Sequence, residues 1–232
     1  MTAPDNSVAG ADAARVASLI SEATPEADRL LEDLRSLPAA PSIVTELLSW
    51  PDGQVRFWAL DAAARVFPRA DYIKALKRAT RDRDEVVRAE AVGQLADIAP
   101  DAVRPMARRL AGALQTDIPT GEKVFVLWTL AKIRSVDLIP AIEAFRQPLP
   151  DWWQLTRVAD VVLTYLKDGE QVVLRMLENH SDHERMEELC TLAWHVLATP
   201  AARNALKTGL ANAPDDACRQ ACQVGLDRFG KR

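Results

Sequence analysis

Residues 84–91 read D-E-V-V-R-A-E-A, and residues 52–59, 32 positions earlier, read D-G-Q-V-R-F-W-A. Residues 215–222 read D-D-A-C-R-Q-A-C. All three follow one template: Asp, two residues, a small apolar residue, Arg, two residues, then Ala or Cys. An Asp just ahead of a helix accepts the unpaired N–H groups of its first turn. Two small apolar residues four apart lie on one helical face. The template therefore marks the start of an amphipathic helix that begins in the same way each time.

Working outward, the downstream hairpin repeats at an offset of 35. Val126, Leu127, Leu130, Ala131 and Ile133 fall on Ala91, Val92, Leu95, Ala96 and Ile98, and Lys123 stands where the Arg would be. The preceding helix repeats with it, since Pro105 maps onto Pro140. A period of 32–35 with two helices per unit is the signature of a stacked repeat array. Second helices are predicted at 53–67, 85–98, 121–134, 152–167, 184–198 and 215–229, and first helices at 41–50, 70–81, 101–116, 136–147, 169–180 and 201–212. Residues 1–10 are polar and expected to be disordered. Residues 11–22 and 25–37 read as two further amphipathic helices. Residues 1–50 hold eight Asp and Glu against three Arg, the polar character an end cap needs.

This pattern resembles the HEAT-like repeats, in particular the short form related to phycobilisome-lyase-type repeats. The residues that carry the resemblance are Asp52/Val55/Arg56/Ala59, Asp84/Val87/Arg88/Ala91 and Asp215/Cys218/Arg219/Cys222, supported by Pro105 and Pro140. It covers roughly residues 40–230, with weaker units at 151–167 and 182–198. The resemblance implies an all-α fold, a right-handed α-solenoid of about six hairpins behind an N-terminal helical cap, divided as 1–38 and 39–232. It also implies a ladder between adjacent repeats built from Asp52, Arg56, Asp84, Arg88, Asp215 and Arg219, and a concave face lined by the second helices. On function it is nearly silent, because such repeats serve many roles.

Composition narrows the classes. The 232 residues are 48% hydrophobic and 27% charged, with net charge −4. That balance argues against a general nucleic-acid binder, which is usually basic. Cys190, Cys218 and Cys222 lack framework spacing and point to a reducing compartment; Cys218 and Cys222, four apart on one helical face, read as small core residues rather than a metal or redox pair. No apolar run approaches the roughly 20 residues of a membrane span, and the N-terminus lacks a signal-peptide pattern, so the cytoplasm is expected. His180 and His183 bracket a turn near Asp182 and Glu184 without completing a ligand set, so neither metal nor cofactor is expected. No phosphate loop or nucleophile elbow occurs.

Two candidate surfaces remain. Lys74, Lys77, Arg78 and Arg81 recur at helical spacing and form one basic stripe. With Arg104, Arg108 and Arg109 on the next first helix they would make a basic convex ridge, either a solvated face or a seat for an acidic protein or phosphates. On the second helices, the register places Trp58, Asp61 and Arg65, then Glu90, Gly93 and Asp97, then Phe125, Trp128 and Lys132 on the groove side. A weaker alignment adds Arg157, Asp160 and Thr164, then Glu188, Thr191 and His195. Trp58, Phe125 and Trp128 are large aromatics at positions where exposure is expected. They either fold into the core or anchor a partner in the groove. The leading expectation is a non-enzymatic protein-binding module, with another protein as partner. The alternative is a nucleic-acid-acting protein similar to the HEAT-like DNA glycosylases, or a lyase subunit. For the glycosylases the resemblance is confined to Trp152-Trp153, and Gln154 stands where that family has Asp.

Overall fold

The computed structural model describes residues 13–21, 38–149 and 154–229. Among these, all regular structure is helical. The chain divides into two compact units, residues 1–102 and 103–232.

The first unit holds α1 (Ala13–Ser21), α2 (Ala40–Leu47), α3 (Gly53–Val66), α4 (Arg69–Ala79) and α5 (Glu85–Ile98). The repeated Asp does the work expected of it. Asp52 accepts from Gln54 N at 2.7 Å, and Asp84 accepts from Val86 N and Val87 N at 2.9 and 3.2 Å. Each helix packs on its sequence neighbour, and α3 also packs on α5, so second helix lies on second helix. Val55, Ala59 and Ala63 of α3 and Val87, Ala91 and Leu95 of α5 fill the core. The residues expected as an N-terminal cap are described only in part. Helix α1 packs on α2 and α3, whereas the helix expected at 25–37 lies outside the described residues.

After the short helix α6 (Pro100–Val103), the second unit continues with α7 (Ala107–Ala113), α8 (Thr120–Lys132), α9 (Ile139–Arg146), α10 (Gln154–Asp168), α11 (Glu170–Asn179), α12 (Met186–Thr191), α13 (Pro200–Ala211) and α14 (Asp216–Phe229). The same alternation holds: α8 packs on α10, α10 on α12 and α12 on α14, while α7 packs on α9 and α11 on α13.

Three first-helix or second-helix stretches depart from the regular helices expected. The helix expected at 101–116 is broken by a 3-10 turn at Arg104–Met106, and that expected at 136–147 opens with a 3-10 turn at Val136–Leu138. Pro105 and Pro140 account for both, since each lacks an N–H and its ring crowds the preceding turn. The helix expected at 184–198 runs as α12 and then widens into a π turn at Leu192–Leu197. It ends with Ala198 at φ 49°, a left-handed conformation that costs a non-glycine residue about 1–2 kcal/mol.

Candidate functional site

The turn before α3 is drawn onto the turn before α5 by Arg56, which is only 5% exposed. Its Nε donates to Asp82 Oδ2 at 2.9 Å and its Nη2 to Asp82 Oδ1 at 2.7 Å. Its Nη1 donates to the carbonyls of Trp50 and Pro51 at 2.7 and 2.8 Å. Arg88 repeats half of this one unit on, donating to the carbonyls of Asp82 and Arg83 at 2.9 and 3.0 Å. Arg83 in turn donates to the Pro51 carbonyl. A Cβ at position 53 would overlap the Asp84 carboxylate, so any larger residue there would have to displace that side chain. Burial works to raise the Asp82 carboxyl, but the Arg56 hydrogen bonds and the Asp84 N–H outweigh it and hold it below its ordinary value. The acidic partner of Arg56 is thus Asp82 rather than the template residues Asp52 and Asp84, which spend their carboxylates on helix caps. At the third copy, Arg219 pairs with the adjacent Asp216 on the surface, while Asp215 pairs with His183. No downstream turn faces Arg219 within the described residues.

This clamp forms one wall of a cavity of about 1100 Å³ in the first unit. The basic stripe of α4 forms another wall: Lys74, Lys77, Arg78 and Arg81 all line it. Lys74 is tied to Asp71 at 2.9 Å. Lys77, Arg78 and Arg81 are exposed and make no ion pair among the described residues. Trp50 and Phe67 supply half-buried aromatic lining. The stripe expected on a convex ridge is exposed and lines a groove. Trp50 and Phe67 were not legible as site residues, because they sit at helix ends outside the repeat template. Arg104 and Arg108 are exposed in the second unit and do not line this cavity.

The aromatic stripe of the second helices is less open than expected. Trp128 is buried, at 6% exposure, and belongs to the core. Residues 126–131 of α8 are buried without a break, so this helix is covered on every side and has no groove face at that level. Gly93 and Glu188 are buried as well. Trp58 and Phe125 are half-buried, and Trp58 meets the edge of Phe57 at 6.1 Å. Asp61 and Arg65 pair with each other at 2.8 Å on the surface. Glu90 accepts from Gln94, which accepts from the Tyr72 hydroxyl. Asp97 is exposed and Lys132, Thr191 and His195 are half-buried. Asp160 is no open groove acid. It is held by Arg146 and Arg185, each at 2.8 Å, and Arg185 also reaches Asp182 at 2.8 Å.

Arg157 and Glu188 pair at 3.1 Å at a second cavity of about 490 Å³, which Trp194 also lines. Glu188 is 4% exposed and its Oε2 has no hydrogen-bond partner among the described residues. Burial pushes its carboxyl above the ordinary glutamate value, against the opposing pull of Arg157. Trp152 and Trp153 lie outside the described residues. Among the described residues, no helix is long and apolar enough to cross a membrane. Comparison with known protein families, with characterised proteins and with solved structures finds no match.

Proposed function

We propose that the chain is a non-enzymatic protein-interaction module, a HEAT-like repeat array whose first unit seats an acidic segment of another protein. One observation carries the reading: three exposed cations with no acidic partner among the described residues, Lys77, Arg78 and Arg81, line a groove that also offers Trp50 and Phe67. Cations beside aromatic surface combine electrostatic attraction with desolvated anchoring, the composition of an interface core. An acidic peptide with interspersed apolar residues complements both features. The repeat reading is supported by alternating helix packing and by links between turns 32 residues apart, Arg83 to Pro51 and His183 to Asp215. The net charge of −4 favours a protein over nucleic acid as the partner, since duplex binding needs a broad basic field.

The test is fluorescence anisotropy with a labelled peptide alternating Glu and Leu, with a duplex DNA of equal charge in parallel. The peptide should bind, and the double variant Lys77→Glu/Arg78→Glu should lose that binding without a change in melting temperature. Duplex binding should be weak and vanish as salt rises. Peptide affinity unchanged by the double variant would overturn the groove as the docking site. Tight duplex binding at physiological salt would favour the nucleic-acid reading instead.

A further inference from the structure

The turn that opens α14 and the turn that opens α12 meet at the rim of the second-unit cavity. Asp215 precedes α14 and its Oδ1 is spent on the Cys218 N–H at 2.8 Å. That bond orients the carboxylate and leaves Oδ2 directed at His183 Nε2, with which it pairs. Cys218, in the first turn of α14, brings its sulfur to the same place. One ligand atom from each of His183, Asp215 and Cys218 lies within 4.8 Å of the others. His183 and Cys218 both line the cavity, together with the exposed Glu184 and Glu187 and the buried Glu188.

We propose that His183, Asp215 and Cys218 form a binding site for a zinc-class divalent cation at the rim of this cavity. The donor set is chemically apt. One imidazole nitrogen, one carboxylate oxygen and one thiolate are ligands of borderline and soft character, and three protein ligands leave a fourth position open to the cavity. The charges balance, since the carboxylate and the thiolate together neutralise a dication. Forming the metal–sulfur bond breaks the S–H bond, and the proton leaves to water. Tetrahedral bonds of about 2.0–2.3 Å place ligand atoms roughly 3.5 Å apart, so the His183–Asp215 contact must open to admit the ion while any wider separation closes by about 1 Å at most. The exposed His183 side chain, on a turn, has the freedom to make that movement. The exposed Glu184 and Glu187 add negative charge on the cavity lining, while Glu188 is taken up by Arg157 and Arg228 lines the same cavity.

The chain's composition makes the test clean, because it holds only three histidines and three cysteines. The full chain, without an affinity tag and under reducing conditions, is stripped of metal and titrated with Co²⁺. One Co²⁺ should bind per chain and give a sulfur-to-cobalt charge-transfer band, and Zn²⁺ should displace it. Losing even a supporting partner of a metal ligand costs tenfold or more in affinity, so His183→Ala should weaken binding by at least about tenfold. Cys218→Ser should abolish the band, whereas Cys190→Ser/Cys222→Ser should keep it. Cys218 is a core residue, so a Cys218→Ser chain that fails to fold leaves His183→Ala, at an exposed turn, to decide the matter. Absence of the sulfur band, its survival in folded Cys218→Ser, or unchanged affinity in His183→Ala would each overturn the site.

Discussion

Two ion pairs, one in each unit, each set an arginine against an acidic side chain and have opposite energetic character. Arg56 and Asp82 satisfy each other with two hydrogen bonds, and the rest of the guanidinium is spent on two backbone carbonyls. Arg157 and Glu188 meet through a single contact, with Arg157 37% exposed along its side chain and one buried Glu188 oxygen without a partner among the described residues. Burying a charge is repaid only when its hydrogen-bonding capacity is filled. The first pair fastens two turns of the repeat. The second carries an uncompensated desolvation cost and stands at a cavity. The saturated pair belongs to the scaffold, and the unsaturated one marks where the scaffold has been left open.

The largest expected effect falls on the saturated pair. Arg56→Ala leaves the Asp82 carboxylate and two carbonyls without partners, and should cost about 4 kcal/mol of unfolding free energy in a urea titration. A loss below about 1 kcal/mol would show that water replaces the guanidinium there and would erase the contrast. Next comes the aromatic pair from the expected groove stripe. Trp128→Ala should cost about 3–5 kcal/mol because it empties a core site. Trp58→Ala, at a half-buried position, should cost about 1–2 kcal/mol, and equal losses would mean that both are core.

Glu188→Gln should raise stability near neutral pH by up to about 1 kcal/mol, because the amide removes a buried charge. The pH dependence separates the two pairs by sign. Asp82 has a lowered folded value, so its stabilisation is complete above the ordinary carboxylate pKa of about 3.9 and fades as pH falls through the lowered value. Glu188 has a raised folded value, so the folded state holds its proton more tightly than the unfolded chain. Its contribution is fully present below about 4.3 and is lost as pH rises through the raised value. The gain from Glu188→Gln should therefore disappear at about pH 4, where the wild-type residue is itself neutral, and a gain independent of pH would refute this account. The smallest effect belongs to the exposed pair Asp61 and Arg65, whose removal should change stability by less than about 0.5 kcal/mol.

Much of the helical framework was legible beforehand. Helices α3 and α5 begin where Asp52 and Asp84 predict, because a cap is a local interaction between a side chain and the next two or three N–H groups. The prolines were legible as repeat markers. Their effect as 3-10 breaks follows from the same missing N–H, although the regular helices expected there took no account of it. The basic stripe of α4 was also legible, since residues three and four apart must share a face.

Alternation of helical period and repeated capping are properties of a chain segment, so the sequence by itself determined that this protein is helical, where most helices start, and which side chains share a face. Whether a face meets water or another helix depends on residues distant in the chain. Trp128 shows this most plainly, since its register is that of a groove residue and its surroundings are those of the core. The same distance hid the partners of the charged groups. Arg56 takes Asp82, 26 residues away, and His183 takes Asp215, 32 residues away. Trp50 and Phe67 come to one cavity with the α4 cations only when α2 and α4 pack around α3. Only the tertiary structure decided those meetings, because pairing, burial and cavity shape are set by which surfaces of separate helices come into contact.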